Sequence, residues 1–243
     1  MRFTGRYIVV LGGTSGIGLA VARGAIDEGA TVCIASKQRE KVEKAREEFR
    51  PTDSVHLTTE TIDVASESAV KAFFDRIGSF DHLVFTAGDD LPISRLVDKD
   101  LTDARARFET RFWGALAAVK YGVRSIRSGG SIVLTSGFSS TRPRAGWTLQ
   151  AGIQTAIEGV TRALAVELAP IRVNAVSPGL ARTPRWNAWT DTARRDLYRN
   201  EEQRLPVRRV GEAGEIAMAY LYLMENSYAT GTVVAVDGGG ALV

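Results

Sequence analysis

One cysteine, two histidines and no long apolar run set the first limits on this 243-residue sequence. Cys33 lies inside the apolar stretch Thr31-Val32-Cys33-Ile34-Ala35, which excludes a disulfide framework and leaves a buried, inert thiol as the expectation. Thiol redox chemistry is set aside with it. His56 and His82 flank strand-like runs and form no ligand cluster with each other or with the cysteine, so no metal site is expected. No apolar segment reaches the roughly 18 residues of a membrane helix, and the first ten residues lack the order of a signal peptide. A cytoplasmic location without a membrane partner is the expectation. Neither sign of charge dominates: 31 Lys and Arg against 28 Asp and Glu give +3, too little to suggest nucleic acid. Between Arg182 and Arg209, however, eight arginines stand against four acids.

What is present is alternation. Tyr7-Ile8-Val9-Val10-Leu11 is β-branched and apolar, and residues 17–29 place Ile17, Ala20, Val21, Gly24 and Ala25 at helical spacing. Further strands are expected near 31–35, 55–62, 82–86, 131–135, 171–176 and 232–236. Helices are expected near 39–49, 67–77, 101–126, 150–168 and 212–224. Strand-helix alternation of this length predicts an α/β chain with a doubly wound parallel sheet of about seven strands and helices on both faces. At 44% hydrophobic and 24% charged residues, with no linker or repeat, residues 1–243 read as a single domain.

Between the first strand and the first helix stands Gly12-Gly13-Thr14-Ser15-Gly16-Ile17-Gly18. Glycines there let the backbone turn tightly and approach a pyrophosphate, while the helix N-terminus presents free N–H groups to it. The spacing Gly12, Gly16, Gly18 resembles the glycine turn of the short-chain dehydrogenase/reductase family, a single-domain Rossmann fold. Further matches run almost end to end: Asp63-Val64, Thr86-Ala87-Gly88, the run from Ile171 to Pro178 and Gly179 followed by Thr183, and Val236-Asp237-Gly238-Gly239. The resemblance implies that Gly12, Thr14, Ser15, Gly16, Ile17, Gly18, Asp63, Val64, Thr86, Ala87, Gly88, Pro178, Gly179 and Thr183 bind a nicotinamide dinucleotide. At the end of the second strand, where an acid would hold the ribose hydroxyl of NAD, stand Ser36 and Lys37, which favours NADP(H) over NAD(H).

The family's catalytic residues are an Asn, a Ser, a Tyr and a Lys. On the resemblance, their positions hold Arg111, Gly137, Gln150 and Gln154, and no tyrosine lies between Gly122 and Leu197. A carboxamide has no proton to give near neutrality. Candidate replacements are Arg111, whose fork could hold a carboxylate or phosphate, Ser136 beside the vacated serine position, and Gln150 and Gln154 as orienting groups for substrate and cofactor ribose. Tyr198, in an expected substrate lid at residues 183–210, carries a phenol that could donate a proton, although surface statistics favour an exposed helix tyrosine. Arg111 with Arg142, Arg144 and the arginine-rich lid suggests an anionic small-molecule substrate. Three readings stay open: an NADP-dependent oxidoreductase acting on a carbonyl or alcohol through a rewired site, a dinucleotide-binding or sensor protein without catalysis, and a non-redox isomerase or lyase. The resemblance also implies a homodimer or homotetramer.

Overall fold

In the first strand, β1 (Tyr7–Leu11), successive side chains alternate between two apolar layers, Ile8 and Val10 into one, Val9 and Leu11 into the other. That double burial is what a central parallel strand requires. The structure, a computed structural model, describes residues 1–49, 56–88 and 93–243. After β1 come α1 (Gly16–Asp27), β2 (Thr31–Ser36), α2 (Arg39–Glu47), β3 (Leu57–Thr61), α3 (Glu67–Ile77) and β4 (Phe80–Phe85). The chain continues through α4 (Leu101–Phe108), α5 (Gly114–Gly122), β5 (Ile126–Thr135), α6 (Thr148–Glu167) and β6 (Arg172–Pro178). It closes with β7 (Ala181–Arg182), α7 (Asp191–Arg204), β8 (Gly211–Glu212), α8 (Ala213–Glu225) and β9 (Val233–Val236).

Seven strands form one parallel sheet in the order β3-β2-β1-β4-β5-β6-β9. On one face α1 and α8 cover a core that includes Ile8, Val10, Val21, Ala25, Tyr220 and Leu223; on the other, α3, α5 and α6 cover Val9, Leu11, Phe73, Phe74, Ala118 and Ile157. The strand order reverses between β1 and β4, which opens a crevice beyond their carboxyl ends. A small parallel pair, β7 with β8, lies apart from the main sheet.

The expected helix at 101–126 is interrupted. Between α4 and α5, residues Glu109–Trp113 form a π-helical turn, and Val123–Ser125 tighten into a 3-10 turn. The fifth strand starts at Ile126 rather than 131. Gly129 takes φ +81 within it, and a Cβ on Gly130 would strike the carbonyl of Asp81. The two adjacent glycines let β5 pass close to β4 across a register shift between Phe80 and His82. Residue 55, the expected start of the third strand, lies outside the described residues.

Two buried charges tie the layers together. Asp81 accepts from Arg6 Nη1 at 2.9 Å, Arg127 Nη1 at 2.8 Å and the Tyr7 amide at 2.8 Å. Burial pulls its carboxyl upward, but the amide and the two guanidiniums prevail and hold it below the usual range. Arg172 donates to the carbonyls of Leu223 at 2.7 Å and Met224 at 2.8 Å, closing the C-terminal turn of α8. Cys33 is buried, and burial pushes its thiol up to about 11. His82 is buried and bonded through Nδ1 to Ser131 Oγ at 2.9 Å, whereas His56 is exposed at the edge of the sheet. Among the described residues no helix is long and apolar enough to cross a membrane, and no group of His, Cys, Asp and Glu could hold a metal ion.

Candidate active site

The crevice at the strand reversal is the mouth of a cleft of about 720 Å³. Its floor is the turn from β1 to α1. Gly12 takes φ +89, a conformation that favours glycine, and a Cβ there would lie 2.5 Å from the Ala87 amide nitrogen. A Cβ on Gly18 would overlap the Gly12 carbonyl and the Thr86 hydroxyl, so both glycines are required for the turn to lie against the end of β4. Thr86 holds that junction from its own side, its amide donating to the Leu11 carbonyl at 2.8 Å. Thr14, Ser15, Gly16, Ile17, Asp63, Val64, Ala87 and Gly88 line the same part of the cleft. Asp63 Oδ1 accepts from the Ala65 amide at 3.0 Å, which fixes the turn into α3.

At one end the cleft is lined by Ser36, Lys37 and Gln38, and by Lys41, Lys44 and Glu48. Lys41 and Lys44 were not singled out in the sequence; they lie on α2, which begins just after Lys37. At the other end stand Arg111, Ser136, Gly137, Gln150 and Gln154, under Pro178, Gly179 and Thr183. From the segment expected to run Ile171 to Gly179 along the nicotinamide, only Pro178 and Gly179 line the cleft. Asn174 instead bonds the Ala229 carbonyl and the Thr232 amide, which ties β6 to the chain entering β9.

Arg111 lies on the π-helical turn. A widened turn departs from the side-chain spacing of an α-helix, and such turns gather at functional sites. Its guanidinium covers Gly88 closely enough that a Cβ there would lie 2.6 Å from Nη1. Gln150 is buried in the first turns of α6. The loop after β5 is pinned to the same helix: Ser136 Oγ donates to Glu158 Oε1 at 2.7 Å, and Ser139 Oγ donates to Gln154 Oε1.

Over this end, the segment expected as a lid forms a 3-10 turn (Pro184–Ala188) followed by α7. Trp186 and Leu197 reach the cleft beside Phe138 and Trp147. Tyr198 does not line the cleft; its ring lies under the Arg182 guanidinium at 4.6 Å, and burial raises its phenol above the usual value. The arginine surplus is largely answered locally, by Arg182 with Glu202, Arg194 with Asp191 and Arg209 with Glu215. Arg144 is bonded to Glu201 at 2.5 Å and Arg142 to the Val243 carbonyl at 3.2 Å, so neither joins Arg111 as an anion-holding group. Among the described residues, Arg111 and Arg185 are the arginines that line the cleft. Glu201 is itself buried; burial alone would raise its carboxyl, but hydrogen bonds from Arg144 and Arg204 hold it low, fastening α7 down. In sequence it was one of four acids in a basic stretch, with no signal to single it out.

Residues 12–240 match the family model described as Enoyl-(Acyl carrier protein) reductase. The chain is 33% identical to the short-chain dehydrogenase/reductase ATR9 of Stachybotrys chlorohalonatus, over 98% of both chains. Among solved structures it is similar to a small-chain dehydrogenase in complex with NADPH, at 42% identity and TM-score 0.85 over 98% of this chain and 99% of that one. It is also similar to the MalC reductase/Diels-Alderase of Malbranchea aurantiaca, at 30% identity and TM-score 0.90 over 99% and 98%. With a matching family model over nearly its whole length, relatives above 30% identity and the sheet order described above, the chain belongs to the short-chain dehydrogenase/reductase family.

Proposed function

We propose that the protein is an NADP(H)-dependent oxidoreductase that reduces a small carbonyl compound, or oxidises the matching alcohol, with Arg111 in place of a protonating side chain. One observation carries this reading. A single cleft runs from Lys37, Lys41 and Lys44, across a turn where a Cβ on Gly12 or Gly18 would clash, to Arg111 and the two glutamines Gln150 and Gln154. A phosphate on the adenosine ribose fits the first end, a pyrophosphate fits the α1 N-terminus, and a carbonyl oxygen fits the last. The bound dinucleotide supplies or accepts the hydride. The chain's own part is to hold the carbonyl and to neutralise the charge its oxygen gains. Arg111 stays charged at any working pH and presents fixed N–H donors, so it stabilises an alkoxide without titrating. Solvent water then provides the proton. An electron-rich or anionic substrate suits Arg111 with Arg185, within walls of Phe138, Trp147 and Trp186.

Calorimetric titration with NADPH, NADP, NADH and NAD tests the cofactor end. NADPH is expected to bind at least about tenfold more tightly than NADH, and the difference to shrink in Lys37→Ala and vanish when Lys41 and Lys44 are also replaced. Equal affinity for both reduced forms would sink the NADP preference; binding of neither would sink the oxidoreductase reading. Gly18→Ala is expected to weaken dinucleotide binding by at least about tenfold and to lower stability by ~1–3 kcal/mol, because the turn must open to admit the methyl group. Titration and thermal unfolding read the two effects separately. A second reading, in which the dinucleotide is held and no hydride moves, draws support from Gln150 and Gln154, which cannot protonate a substrate. NADPH absorbance followed across a panel of ketones, aldehydes and quinones separates the two.

A further inference from the structure

Gly137 has φ 171 and ψ 158, extended backbone that any residue adopts, so its conformation does not call for glycine. Space does. A Cβ at this position would lie 2.6 Å from Gln154 Cδ and closer still to Nε2. The carboxamide of Gln154 therefore occupies the volume that a side chain on residue 137 would fill, in the wall of the cleft.

The two ends of that carboxamide are held differently. Ser139, buried, donates its hydroxyl to Gln154 Oε1. The loop carrying Ser139 is clamped to α6 on either side, since Glu158 Oε1 accepts from Ser136 Oγ at 2.7 Å and from Ser140 Oγ at 2.5 Å. Ser136 Oγ also reaches the Gln154 carbonyl at 3.3 Å. Gln154 and Glu158 are one helical turn apart, so the anchor and the anchored group share a face of α6. With its oxygen fixed on Ser139, Gln154 presents its amino end, Nε2, to the space over Gly137.

We infer that Gln154 Nε2 is the hydrogen-bond donor to the substrate oxygen, and that Ser139 is the positioning residue that sets the donor's orientation. The inference rests on the carbonyl-reduction reading. As hydride adds to the carbonyl carbon, the π electron pair moves to oxygen. Gln154 Nε2–H and Arg111 hold that oxygen until water protonates it, and Gln154 neither gains nor loses a proton. A carboxamide whose orientation is set before the substrate arrives needs no reorganisation as the charge develops.

Kinetics of Gln154→Met and Ser139→Ala, with NADPH and the fastest carbonyl of the panel, test the assignment. For Gln154→Met, kcat is expected to fall by about 10²-fold with NADPH affinity unchanged. Ser139→Ala, which frees the carboxamide to turn, is expected to show a smaller fall in kcat, again with NADPH affinity unchanged. A loss confined to NADPH affinity would overturn the inference and give the carboxamide to the cofactor ribose. A second measurement needs no turnover: the side-chain amide NMR signal of Gln154, identified by its absence in Gln154→Met, followed in the NADP complex as trifluoroacetophenone is added. Its hydrate presents a tetrahedral oxygen like that of the reacting carbonyl. The signal is expected to shift with the ketone; a shift on NADP addition alone, or none at all, overturns the assignment. If the wild-type protein oxidises NADPH with no carbonyl while the signal still responds to the ketone, the reduction reading fails and the donor assignment stands.

Discussion

Replacing Arg111 by methionine is expected to lower kcat for carbonyl reduction by about 10²- to 10³-fold while NADPH affinity is unchanged. The expectation comes from where the charge sits. The π-helical turn at Glu109–Trp113 sets Arg111 against Gly88, the last residue described after β4, and its guanidinium lines the cleft. A full positive charge in a partly dry cleft is worth more to a developing alkoxide than in water, and it is present before the reaction begins. Arg111→Lys keeps the charge but loses the planar fork, so it should recover only part of the rate. Neither a guanidinium nor a carboxamide titrates near neutrality, so kcat is expected to stay flat between about pH 6 and about pH 9. A bell-shaped profile, or an unchanged kcat in Arg111→Met, would assign charge stabilisation to another group.

The second large effect is on stability. Urea unfolding should show stability falling by about 2–3 kcal/mol between about pH 7 and about pH 4.5 through His82 alone. Burial penalises the imidazolium and brings the folded-state pKa to about 4 from 6.5; Asp81 opposes the shift, while Arg172 and Arg6 add to it. A depressed histidine leaves the unfolded chain to take up its proton first. Its contribution is therefore complete above the unfolded value and is lost as the pH falls toward the folded one. Asp81 and Glu201, also held below their usual values, add their own losses at lower pH, as the unfolded carboxylates protonate. His82→Gln, which can still bond Ser131, is expected to be less stable at neutral pH and to lose less stability across this range than the wild type. An equal slope in wild type and variant would show that the imidazole does not set it.

The chemistry-bearing positions were legible to different depths. The glycine turn announces itself because each glycine answers a local need, a positive φ at Gly12 or a close approach at Gly18, and local needs are written in adjacent residues. Gln150 and Gln154 were located through the resemblance, from the helix leading into Ile171 and Arg172, and both line the cleft. Glu158 gave no such signal. Its partners Ser136 and Ser140 lie on another element, and nothing in a helix sequence marks an acid that will meet two hydroxyls across a loop. Tyr198 was weighed as a proton donor against the favoured reading of a helix tyrosine, and the structure sets it beneath Arg182 while its neighbours Leu197 and Glu201 reach the cleft.

By itself the sequence determined the alternation of strands and helices, the parallel sheet buried on both faces and the place of the glycine turn, because burial periodicity and turn chemistry are short-range properties of a chain. Only the tertiary structure decided which arginines line the cleft, why residue 137 is glycine, and which end of Gln154 faces the cleft. Those are matters of which distant groups share a volume and a hydrogen bond, and a chain acquires them only when its elements pack.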